Sequence, residues 1–335
     1  MTVCFNILGS GEWGLSIANL LASNGHKVEV FGRDEEKIDS LQSTRESQSL
    51  DVKFSENIVF SPLRKITNDS VETVGTFNII ATNSKGFASV IRDKKIFLKQ
   101  FKHIIWLTKG MDSESTLLFD ELIKKTLGTS ITSCMISGPS FARDLIQKKD
   151  IEVSIASLDL EFLKDMKQHF STSYFKLIST QDIIGVQISS VMKNIAAILS
   201  GALTAHGCSK RELIRMIEMS KVEINNISKI IYDSRGLNVN SIDLTATLAS
   251  PACHGDLFLS CLENQSRNRT FGMQLQNTEG IPELISKIGT VEGYISTSTL
   301  HNYLHRSHIG PVLESTYGLL FGGIGIDKTP ILNYL

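Results

Sequence analysis

A lysine lies in the middle of a strongly apolar helical segment. Lys193 stands between Val191 and Ile195, in a run whose apolar residues recur with the spacing of one helix face. Burial favours the neutral amine and a nearby carboxylate favours the ammonium, and an amine balanced in this way can donate and accept a proton. The sequence therefore predicts proton transfer by Lys193. The alternative is a side chain that carries its charge out to solvent.

A basic cluster further along the chain could hold an anion. Ser266, Arg267, Asn268 and Arg269 are consecutive and follow shortly after Asp256, which heads an apolar run. Two guanidinium groups with hydroxyl and amide donors beside them form a receptor for phosphate or another oxyanion. On these residues alone, a solvated charged face is an equal alternative.

Glycines near the N-terminus have the spacing G-x-G-x-x-G. Gly9 permits a tight turn, Gly11 lets a backbone approach a pyrophosphate, and Gly14 allows a helix to pack closely on a strand. The motif lies in a βαβ pattern of strand-like runs at 3–8 and 27–31 and a helix-like run at 15–23. Because the N–H groups at such a helix start face the phosphates, we predict a bound dinucleotide. The alternative is a fold that uses the glycines only for packing.

Two further segments follow predicted strands. Lys109, between Thr108 and Gly110, comes after an apolar run and would face the cofactor edge of a sheet. A solvated loop lysine is the alternative. The segment 137–142 has small residues at a tight turn, and Ser140 is a candidate helix cap, so capping alone is its alternative role.

The elements that must position these residues fall into two halves. Strand-like runs lie at 3–8, 27–31, 77–82, 103–108, 133–137 and 152–156, and helix-like runs lie at 15–23, 85–101, 115–127, 141–148 and 160–170. Residues 43–70 are polar and predict an irregular surface excursion. From 183 onward helical spacing dominates, apart from a predicted loop at 233–243.

This alternation predicts an α/β protein. We expect a Rossmann-like, doubly wound, dinucleotide-binding domain at 1–182 and an all-helical domain at 183–335 that binds substrate and carries the catalytic lysine.

Composition excludes several classes of protein. The chain has 335 residues, 41% of them apolar, and a formal net charge of −1, so no general attraction to nucleic acid or anionic membrane is expected. Five cysteines without a C-x-x-C pair are typical of free thiols in a reducing compartment. The N-terminus runs directly into a strand, and no apolar run approaches the ~20 residues of a membrane span. We therefore expect a cytoplasmic protein with neither signal peptide nor membrane span.

Histidine spacing near the C-terminus resembles a metal-ligand pattern. His301, His305 and His308 follow the spacing H-x3-H-x2-H. No cysteine or second histidine cluster supports a site, so a solvated face is favoured and no metal is predicted. Cys253 and His254 are adjacent, but sequence neighbours rarely point together, so a thiol nucleophile is not expected.

Taken in order, these segments resemble the NAD(P)-dependent glycerol-3-phosphate dehydrogenases. The matching pieces are Gly9-Ser10-Gly11-Glu12-Trp13-Gly14, Gly32-Arg33-Asp34, Thr108-Lys109-Gly110, Ser137-Gly138-Pro139-Ser140-Phe141-Ala142, Ile184-Gly185-Val186, Lys193-Asn194, Gly255-Asp256-Leu257, Ser266-Arg267-Asn268-Arg269-Thr270-Phe271-Gly272 and Val291-Glu292-Gly293. Single pieces are weak signals, but the ordered combination is highly specific. The resemblance covers nearly the whole chain, and it implies the same two domains.

The resemblance implies an enzyme that interconverts dihydroxyacetone phosphate and sn-glycerol 3-phosphate with NAD or NADP, for glycerophospholipid synthesis. Lys193 would exchange a proton with the carbonyl oxygen, Asp256 would pair with Lys193, and Lys109 would orient the substrate beside the nicotinamide. The implied substrate contacts are Lys109, Gly138, Ser140, Lys193, Asn194, Asp256, Ser260, Ser266, Arg267 and Asn268. The implied cofactor contacts are Gly9, Ser10, Gly11, Glu12, Trp13, Gly14, Arg33, Lys109, Ala142, Arg267 and Glu292. A homodimer would be unsurprising.

Some positions depart from the usual pattern of the family. Residues 250–255 replace a glycine- and leucine-rich stretch before Asp256, which puts the placement of that carboxylate in question. The segment 82–84 lacks a proline, and Glu12 puts a negative charge at the pyrophosphate turn.

The end of the second predicted strand bears on the choice of cofactor. Arg33 can bind the 2′-phosphate of NADP, whereas an acidic residue such as Asp34 favours NAD by binding the ribose hydroxyl. We expect use of both cofactors or a preference for NADP.

Two other functions fit parts of the sequence. A 3-hydroxyacid or 6-phosphogluconate type of dehydrogenase also combines a Rossmann domain, a helical domain and a catalytic lysine, but the cluster at 266–269 favours a small phosphate ester. A regulator that senses NAD(P)H without turnover would have no need of Lys109, Lys193 and Asp256 together.

Overall fold

A computed structural model describes residues 2–67, 75–239, 242–263, 266–277, 280–305 and 309–335. The chain divides into two compact units: unit 1 is made of Met1–Lys109 and Phe119–Ile183, and unit 2 of Gly110–Leu118 and Ile184–Leu335. The segment Gly110–Leu118 belongs to unit 2, although it comes well before the predicted domain boundary at residue 182.

Unit 1 is built on an eight-stranded sheet. The strands of the unit are β1 (Cys4–Leu8), β2 (Lys27–Gly32), β3 (Glu46–Ser47), β4 (Val52–Lys53), β5 (Ile58–Pro62), β6 (Thr76–Ile80), β7 (His103–Trp106), β8 (Thr132–Ser137), β9 (Ile151–Ala156) and β10 (Phe175–Thr180). The order across the sheet is β10-β9-β8-β7-β6-β1-β2-β5, while β3 and β4 pair only with each other. Neighbours in the large sheet are parallel except for β8 and β9. The predicted α/β sheet is confirmed.

The strands are apolar because helices cover both faces of the sheet. Phe5, Ile7, Val30, Ile79 and Ile105 are all buried, as expected of parallel strands with no solvated face. The helices of unit 1 are α1 (Glu12–Ser23), α2 (Glu35–Thr44), α3 (Ser84–Asp93), α4 (Lys95–Leu98), α5 (Phe119–Leu127), α6 (Ala142–Ile146) and α7 (Leu160–Phe170). Strand order runs outward from β1 in both directions, and the carboxyl end of such a strand is where doubly wound folds bind ligands.

Both edges of the sheet differ from the sequence prediction. The prediction of irregular structure at 43–70 is wrong for Ile58–Pro62, because this segment forms β5 and pairs with β2. Strand β10 was not predicted, because the polar residues Lys176, Ser179 and Thr180 leave it no continuous apolar run. The single helix predicted at 85–101 is also wrong, because α3 and α4 are separated at Lys94.

The described residues of unit 2 form helices and turns, which confirms the predicted helical character of this region. Its helices are α8 (Ile183–Ala205), α9 (Lys210–Ser234), α10 (Leu244–Ala249), α11 (Asp256–Leu262), α12 (Arg267–Gln274), α13 (Ile281–Ile288), α14 (Glu292–Tyr303) and α15 (Pro311–Phe321). Helix α8 is long and apolar enough to cross a membrane, so the expectation that no apolar run approaches this length is wrong for 183–205. Of the segment that qualifies, 94% is buried inside the protein. Burial on all sides is typical of a central core helix.

Glycine contacts hold α12 against α8. A Cβ atom on Gly272 would lie 2.0 Å from the carbonyl oxygen of Ile198, and one on Gly201 would lie 2.1 Å from that of Arg269. The two helix backbones therefore meet where no side chain fits. This contact fixes α12, which begins in the predicted anion cluster, against the helix that carries Lys193.

Candidate active site

The glycine turn of unit 1 has the geometry that a pyrophosphate requires. Gly9 has a φ of +133°, and a Cβ atom there would lie 2.3 Å from the carbonyl oxygen of Ala81. A Cβ atom on Gly14 would lie 2.6 Å from the oxygen of Gly9, whereas the space beside Gly11 is open. Helix α1 begins directly after Gly11, which presents its first N–H groups to that space. The residues present therefore fit a dinucleotide phosphate.

A cavity of about 700 Å³ adjoins this turn. Its lining includes Gly9, Ser10, Gly11, Arg33, Asp34, Glu35, Lys37, Arg64, Asp93 and Lys94. The Asp34 carboxylate accepts a hydrogen bond from the backbone N–H of Lys37 at 3.0 Å and so caps α2. The exposed Arg33 guanidinium forms no hydrogen bond or ion pair with the described residues of the chain. Arg33 is thus the more available of the two groups that bear on cofactor choice.

An ion pair also lines this cavity. Arg64 Nε donates to Glu35 Oε1 at 2.6 Å, and this hydrogen bond lowers the pKa of Glu35 and raises that of Arg64. Lys37 Nζ donates to the backbone oxygen of Ser10 at 2.8 Å, which ties α2 to the glycine turn. Glu12, in the first turn of α1, is exposed, while Trp13 packs partly buried against the core.

Lys109, Gly138 and Ser140 come together at the carboxyl ends of β7 and β8. Lys109 Nζ donates to the carbonyl oxygen of Gly138 at 3.0 Å, and Ser140 Oγ donates to the same oxygen at 3.2 Å. The prediction that Ser140 caps a helix is wrong, because α6 begins at Ala142 and its N-cap residue is Phe141. The Ala142 carbonyl accepts a hydrogen bond from a serine of α1 at 3.0 Å, which ties the segment to that helix.

In unit 2, Lys193 forms an ion pair with Asp256. Their Nζ and Oδ1 atoms are 3.1 Å apart, the side chains are 13% and 3% exposed, and Ser260 Oγ lies 3.4 Å from the same nitrogen. The snorkelling alternative is wrong, because the ammonium is held by a carboxylate inside the protein. A shielded charge pair of this kind is costly to break, since either partner alone would be a buried, uncompensated charge.

An unusual turn delivers Asp256 to this position. The residues before it, Pro251–Gly255, form a π-helical turn that leads directly into α11. Such turns are rare and occur frequently at functional sites. The departure from the family pattern at 250–255 therefore leaves the carboxylate in contact with Lys193. Nearby, burial raises the pKa of Cys261 to about 12, so this thiol is neutral.

Three amide groups meet next to Lys193. Asn268 Nδ2 donates to Asn194 Oδ1 at 2.9 Å, and Asn268 Oδ1 accepts the backbone N–H of Gly293 at 2.9 Å. Asn194 is 2% exposed, and its Nδ2 has no hydrogen-bond partner among the described residues. Glu292, which precedes Gly293, is half-buried in the first turn of α14.

The basic cluster divides into residues of different kinds. Arg267 is exposed, but Arg269 is 7% exposed, and its guanidinium donates to the oxygen of Cys261 at 2.9 Å and to Thr204 Oγ1 at 3.3 Å. The prediction of an anion receptor with two guanidinium groups is therefore wrong, because Arg269 is buried and hydrogen-bonded inside the helical unit. Ser266 Oγ accepts the N–H of Arg269 and caps α12.

The histidine pattern is not a solvated face throughout. His301 is 8% exposed and stacks on Tyr317 with ring centroids 3.6 Å apart, so that prediction is wrong for this residue. His305 is exposed, and His308 lies outside the described residues. Within the part of the chain that the structure describes, no group of three or more His, Cys, Asp and Glu side chains could hold a metal ion. Cys253 is buried, while the ring of the exposed His254 lies tilted against that of Phe258, with the centroids 4.4 Å apart.

Sequence reasoning missed several residues that shape the two sites. Lys37 and Arg64 line the cavity, yet neither stands in a motif, and Arg64 lies inside the polar stretch expected to be irregular. The packing roles of Gly201 and Gly272 were also missed. A glycine in the interior of a helix was the available signal, because it is unfavourable there unless a backbone packs against it.

Comparison with known proteins gives consistent matches. The profile of the NAD-dependent glycerol-3-phosphate dehydrogenase N-terminus matches residues 5–163, and that of the C-terminus matches residues 182–330. The glycerol-3-phosphate dehydrogenase, NAD(P)+, of Bartonella henselae is 32% identical over 335 residues, covering 97% of this chain and 93% of the relative. The enzyme of the same name from Shigella flexneri serotype 5b is 31% identical, covering 95% of this chain and 91% of the relative.

Solved structures give the same result. The crystal structure of glycerol-3-phosphate dehydrogenase from Coxiella burnetii has a TM-score of 0.82 and 26% sequence identity, and the match covers 98% of this chain and 97% of that chain. The two family profiles, the curated relatives and the solved structure all carry the name of one dehydrogenase family. This chain belongs to the NAD-dependent glycerol-3-phosphate dehydrogenase family.

Proposed function

We propose residue roles for the reaction of this family, the NAD(P)-dependent interconversion of dihydroxyacetone phosphate and sn-glycerol 3-phosphate. The observation that carries the proposal is the Lys193–Asp256 ion pair, with 3.1 Å between nitrogen and oxygen and little exposure of either side chain. A shielded ammonium beside a carboxylate can deliver a proton to a developing alkoxide and regain it in the reverse direction. Lys193 is thus the proposed acid and base.

Most of the proposed cofactor contacts lie in unit 1. Gly9, Ser10, Gly11, Glu12, Trp13 and Gly14 surround the pyrophosphate in this proposal. When bound, NADH or NADPH supplies the hydride that reduces the carbonyl carbon. Arg33, Lys109, Ala142, Arg267 and Glu292 are the further proposed cofactor contacts. The support for the phosphate position is the open space at Gly11 beside the start of α1.

Proton transfer depends on the groups around Lys193. Asp256 holds the ammonium in place and stabilises its charge, and Ser260 Oγ lies close enough to share that task. As the carbonyl is reduced, Lys193 gives its proton to the carbonyl oxygen, and in the reverse reaction it takes the alcohol proton. The reduced substrate therefore gains one hydride and one proton in total, and the cofactor is oxidised.

Substrate orientation is divided among the remaining residues. Lys109, Gly138 and Ser140 are proposed to contact the three-carbon substrate, and the support is their mutual hydrogen bonding at one sheet edge. The exposed Arg267 is the proposed phosphate ligand, with Ser266 and Asn268 beside it. Holding the phosphate fixes the carbonyl carbon for reduction, so binding energy far from the reacting atoms lowers the barrier.

NADP is the preferred cofactor in this proposal. Capping of α2 occupies one oxygen of Asp34, which leaves it less suited to a ribose hydroxyl, whereas Arg33 is available for a 2′-phosphate. NAD remains a usable cofactor, because it differs from NADP only by the 2′-phosphate that Arg33 is proposed to bind.

The cellular setting is proposed from the chemistry. The product is a phosphorylated glycerol, the backbone of glycerophospholipids, so we assign the enzyme to their synthesis in the cytoplasm. All five cysteines are free thiols, which supports a reducing compartment. A homodimer stays a prediction, and light scattering of the purified protein tests it.

A substrate panel tests the proposed function. The enzyme is assayed with NADH and with NADPH against dihydroxyacetone phosphate and 3-oxoacids, and with NAD+ and with NADP+ against 6-phosphogluconate in the oxidative direction. We expect turnover of dihydroxyacetone phosphate alone, with a higher kcat/KM for NADPH. Turnover of a 3-oxoacid without activity on dihydroxyacetone phosphate would contradict the proposal, as would cofactor binding without turnover of any substrate.

A further inference from the structure

Two histidine rings lie against each other at the amino ends of β1 and β2. His26 lies in the turn between α1 and β2, and His169 lies in the last turn of α7. Their ring centroids are 4.9 Å apart, and the two residues are only 6% and 9% exposed. A hydrogen bond accompanies this contact, because Asn24 Nδ2 donates to the backbone oxygen of His169 at 2.8 Å. We name His26 and His169 the histidine pair.

Phenylalanine rings surround the histidine pair. Phe5 of β1 contacts both members edge to face, with its centroid 5.4 Å from that of His26 and 5.9 Å from that of His169. Phe77 of β6 lies 5.7 Å from the His169 ring. Both phenylalanines are buried. Burial in this apolar setting disfavours the imidazolium and lowers the pKa of both histidines.

The hydrogen bond of His26 requires a neutral ring. The backbone N–H of Val3 donates to His26 Nδ1 at 3.4 Å, and a ring nitrogen accepts only through a lone pair. An imidazolium carries a proton on both nitrogens, so protonation of His26 would turn its N–H towards the N–H of Val3. Two imidazolium rings with centroids 4.9 Å apart would also repel each other. The observed packing therefore depends on uncharged rings.

The charged groups around the histidine pair compensate a proton poorly. Asp165, one turn earlier on α7, lies 3.3 Å from His169 Nε2 and favours its protonation, but the carboxylate side chain is 48% exposed, so its effect is screened. The charge at the amino terminus of the chain opposes protonation of both members. At the start of β7, burial lowers the pKa of His103 too, with Asp159 and Asp165 opposing and Lys102 reinforcing this shift.

We propose that the histidine pair is a proton-sensitive latch between the α1–β2 turn and α7, which weakens unit 1 when the pH falls. Neutral rings pack together and keep the Val3 hydrogen bond, whereas a proton on His26 removes that bond and places a charge among phenylalanines. Strand β1 leads directly from this latch to Gly9. Acidification therefore weakens the strand that carries the glycine turn, a form of control separate from the chemistry at Lys193.

The direction of the pH effect follows from the two states of the chain. The unfolded chain takes up protons at the ordinary histidine pKa of about 6.5. The folded chain takes them up only at lower pH, because burial disfavours the charged rings. The free energy of unfolding of unit 1 therefore falls as the pH drops below that of free histidine, and it stops falling below the pKa values of the folded pair.

Tryptophan fluorescence measures the stability of unit 1 separately from that of unit 2. The chain has two tryptophans, Trp13 in α1 and Trp106 in β7, and both belong to unit 1. Urea unfolding is followed at about one pH unit above and below the ordinary histidine pKa. The proteins are the wild type, the double variant His26→Asn/His169→Gln, and His206→Asn. Asparagine and glutamine keep polar atoms close to Nδ1 and Nε2, respectively, but neither can be protonated.

We expect the wild-type midpoint to fall by about 1 M urea on acidification, and that of the double variant to fall less than half as far. His206 is an exposed histidine of unit 2, so His206→Asn should behave as the wild type. A wild-type midpoint that does not fall, or an equal fall in the double variant, would overturn the proposal.

Nuclear magnetic resonance measures the titration of the histidine pair directly in the wild-type protein. Imidazole signals of the 13C-labelled chain are assigned and followed against pH, so this measurement serves if the double variant does not fold. We expect His26 and His169 to titrate below the ordinary histidine value while the exposed His206 titrates close to it. Titration of both members at or above the value for His206 would contradict the latch.

Discussion

The candidate site of unit 1 consists mainly of backbone groups, whereas that of unit 2 consists of side chains. In unit 1 the candidate cofactor site is mainly backbone: a turn at Gly9, an open face at Gly11 and the first N–H groups of α1. In unit 2 the candidate catalytic site is made of side chains, with Lys193 from α8 paired to Asp256 from α11. A backbone site lies within a few consecutive residues, whereas a side-chain pair joins positions far apart in the chain.

This difference determines how each site can fail. A substitution in the glycine turn is expected to change backbone conformation, and so to remove cofactor affinity as a whole. A substitution at the shielded ion pair leaves the backbone in place and removes one chemical step. Cofactor affinity and turnover are therefore the two measurements that separate the units.

The largest expected effect is at the glycine turn. Gly9→Val places a side chain at a φ of +133° and against the Ala81 oxygen, so we expect NADPH affinity to fall at least about 100-fold. Fluorescence titration with NADPH measures it. Gly25 is the matched control, because it also has a positive φ, of +87°, but its Cβ would meet open space. Gly25→Ala is expected to cost about 1 kcal/mol of stability and to keep wild-type affinity. Equal affinities in the two variants would contradict the backbone account.

An intermediate effect is expected in the basic cluster, where two neighbouring arginines differ. Arg267→Ala is expected to raise the KM for dihydroxyacetone phosphate roughly 30-fold, with kcat less affected, because a charge-assisted contact to the phosphate is lost. Inorganic phosphate should compete with substrate in the wild type and much less in this variant. Arg269→Ala is expected to lower the melting temperature instead, because its buried hydrogen bonds to Cys261 and Thr204 are structural. Matching KM values in the two variants would remove this distinction.

The smallest effect concerns cofactor choice. Arg33→Gln removes the available guanidinium from the cavity, so the ratio of kcat/KM for NADPH to that for NADH is expected to fall about tenfold. Arg64→Gln is the control, because Arg64 lines the same cavity but is already paired with Glu35. If this ratio fell only in Arg64→Gln, Arg64 and not Arg33 would bind the 2′-phosphate.

Local patterns made much of the first unit predictable. The glycine spacing and the alternation of strands and helices depend on neighbouring residues, so the sheet and the glycine turn follow from them. Edge strands β5 and β10 were missed because polar residues leave only short apolar runs in their sequences. The sequence also predicted a special environment for Lys193, since a charge inside an apolar helix needs compensation.

Long-range contacts were beyond local patterns. The pairing of Lys193 with Asp256 was expected from the resemblance alone, because nothing in the spacing of the two residues brings them together. The opposite environments of Arg267 and Arg269 depend on which face of α12 packs on α8, and the glycine contacts decide that. The hydrogen bonds among Asn194, Asn268 and Gly293 likewise arise only after three helices have packed.

The division of labour between the units is tested most directly by Lys193→Met. The side chain keeps its length and loses its charge, so kcat for dihydroxyacetone phosphate is expected to fall about 1,000-fold while the Kd of NADPH stays within about twofold of wild type. Lys221→Met is the matched control, because Lys221 is similarly shielded, at 18% exposure, and pairs with Glu218 at 3.0 Å. That variant should turn over normally. A Lys193→Met enzyme with wild-type kcat, or one that loses turnover only because it no longer binds NADPH, would contradict the account.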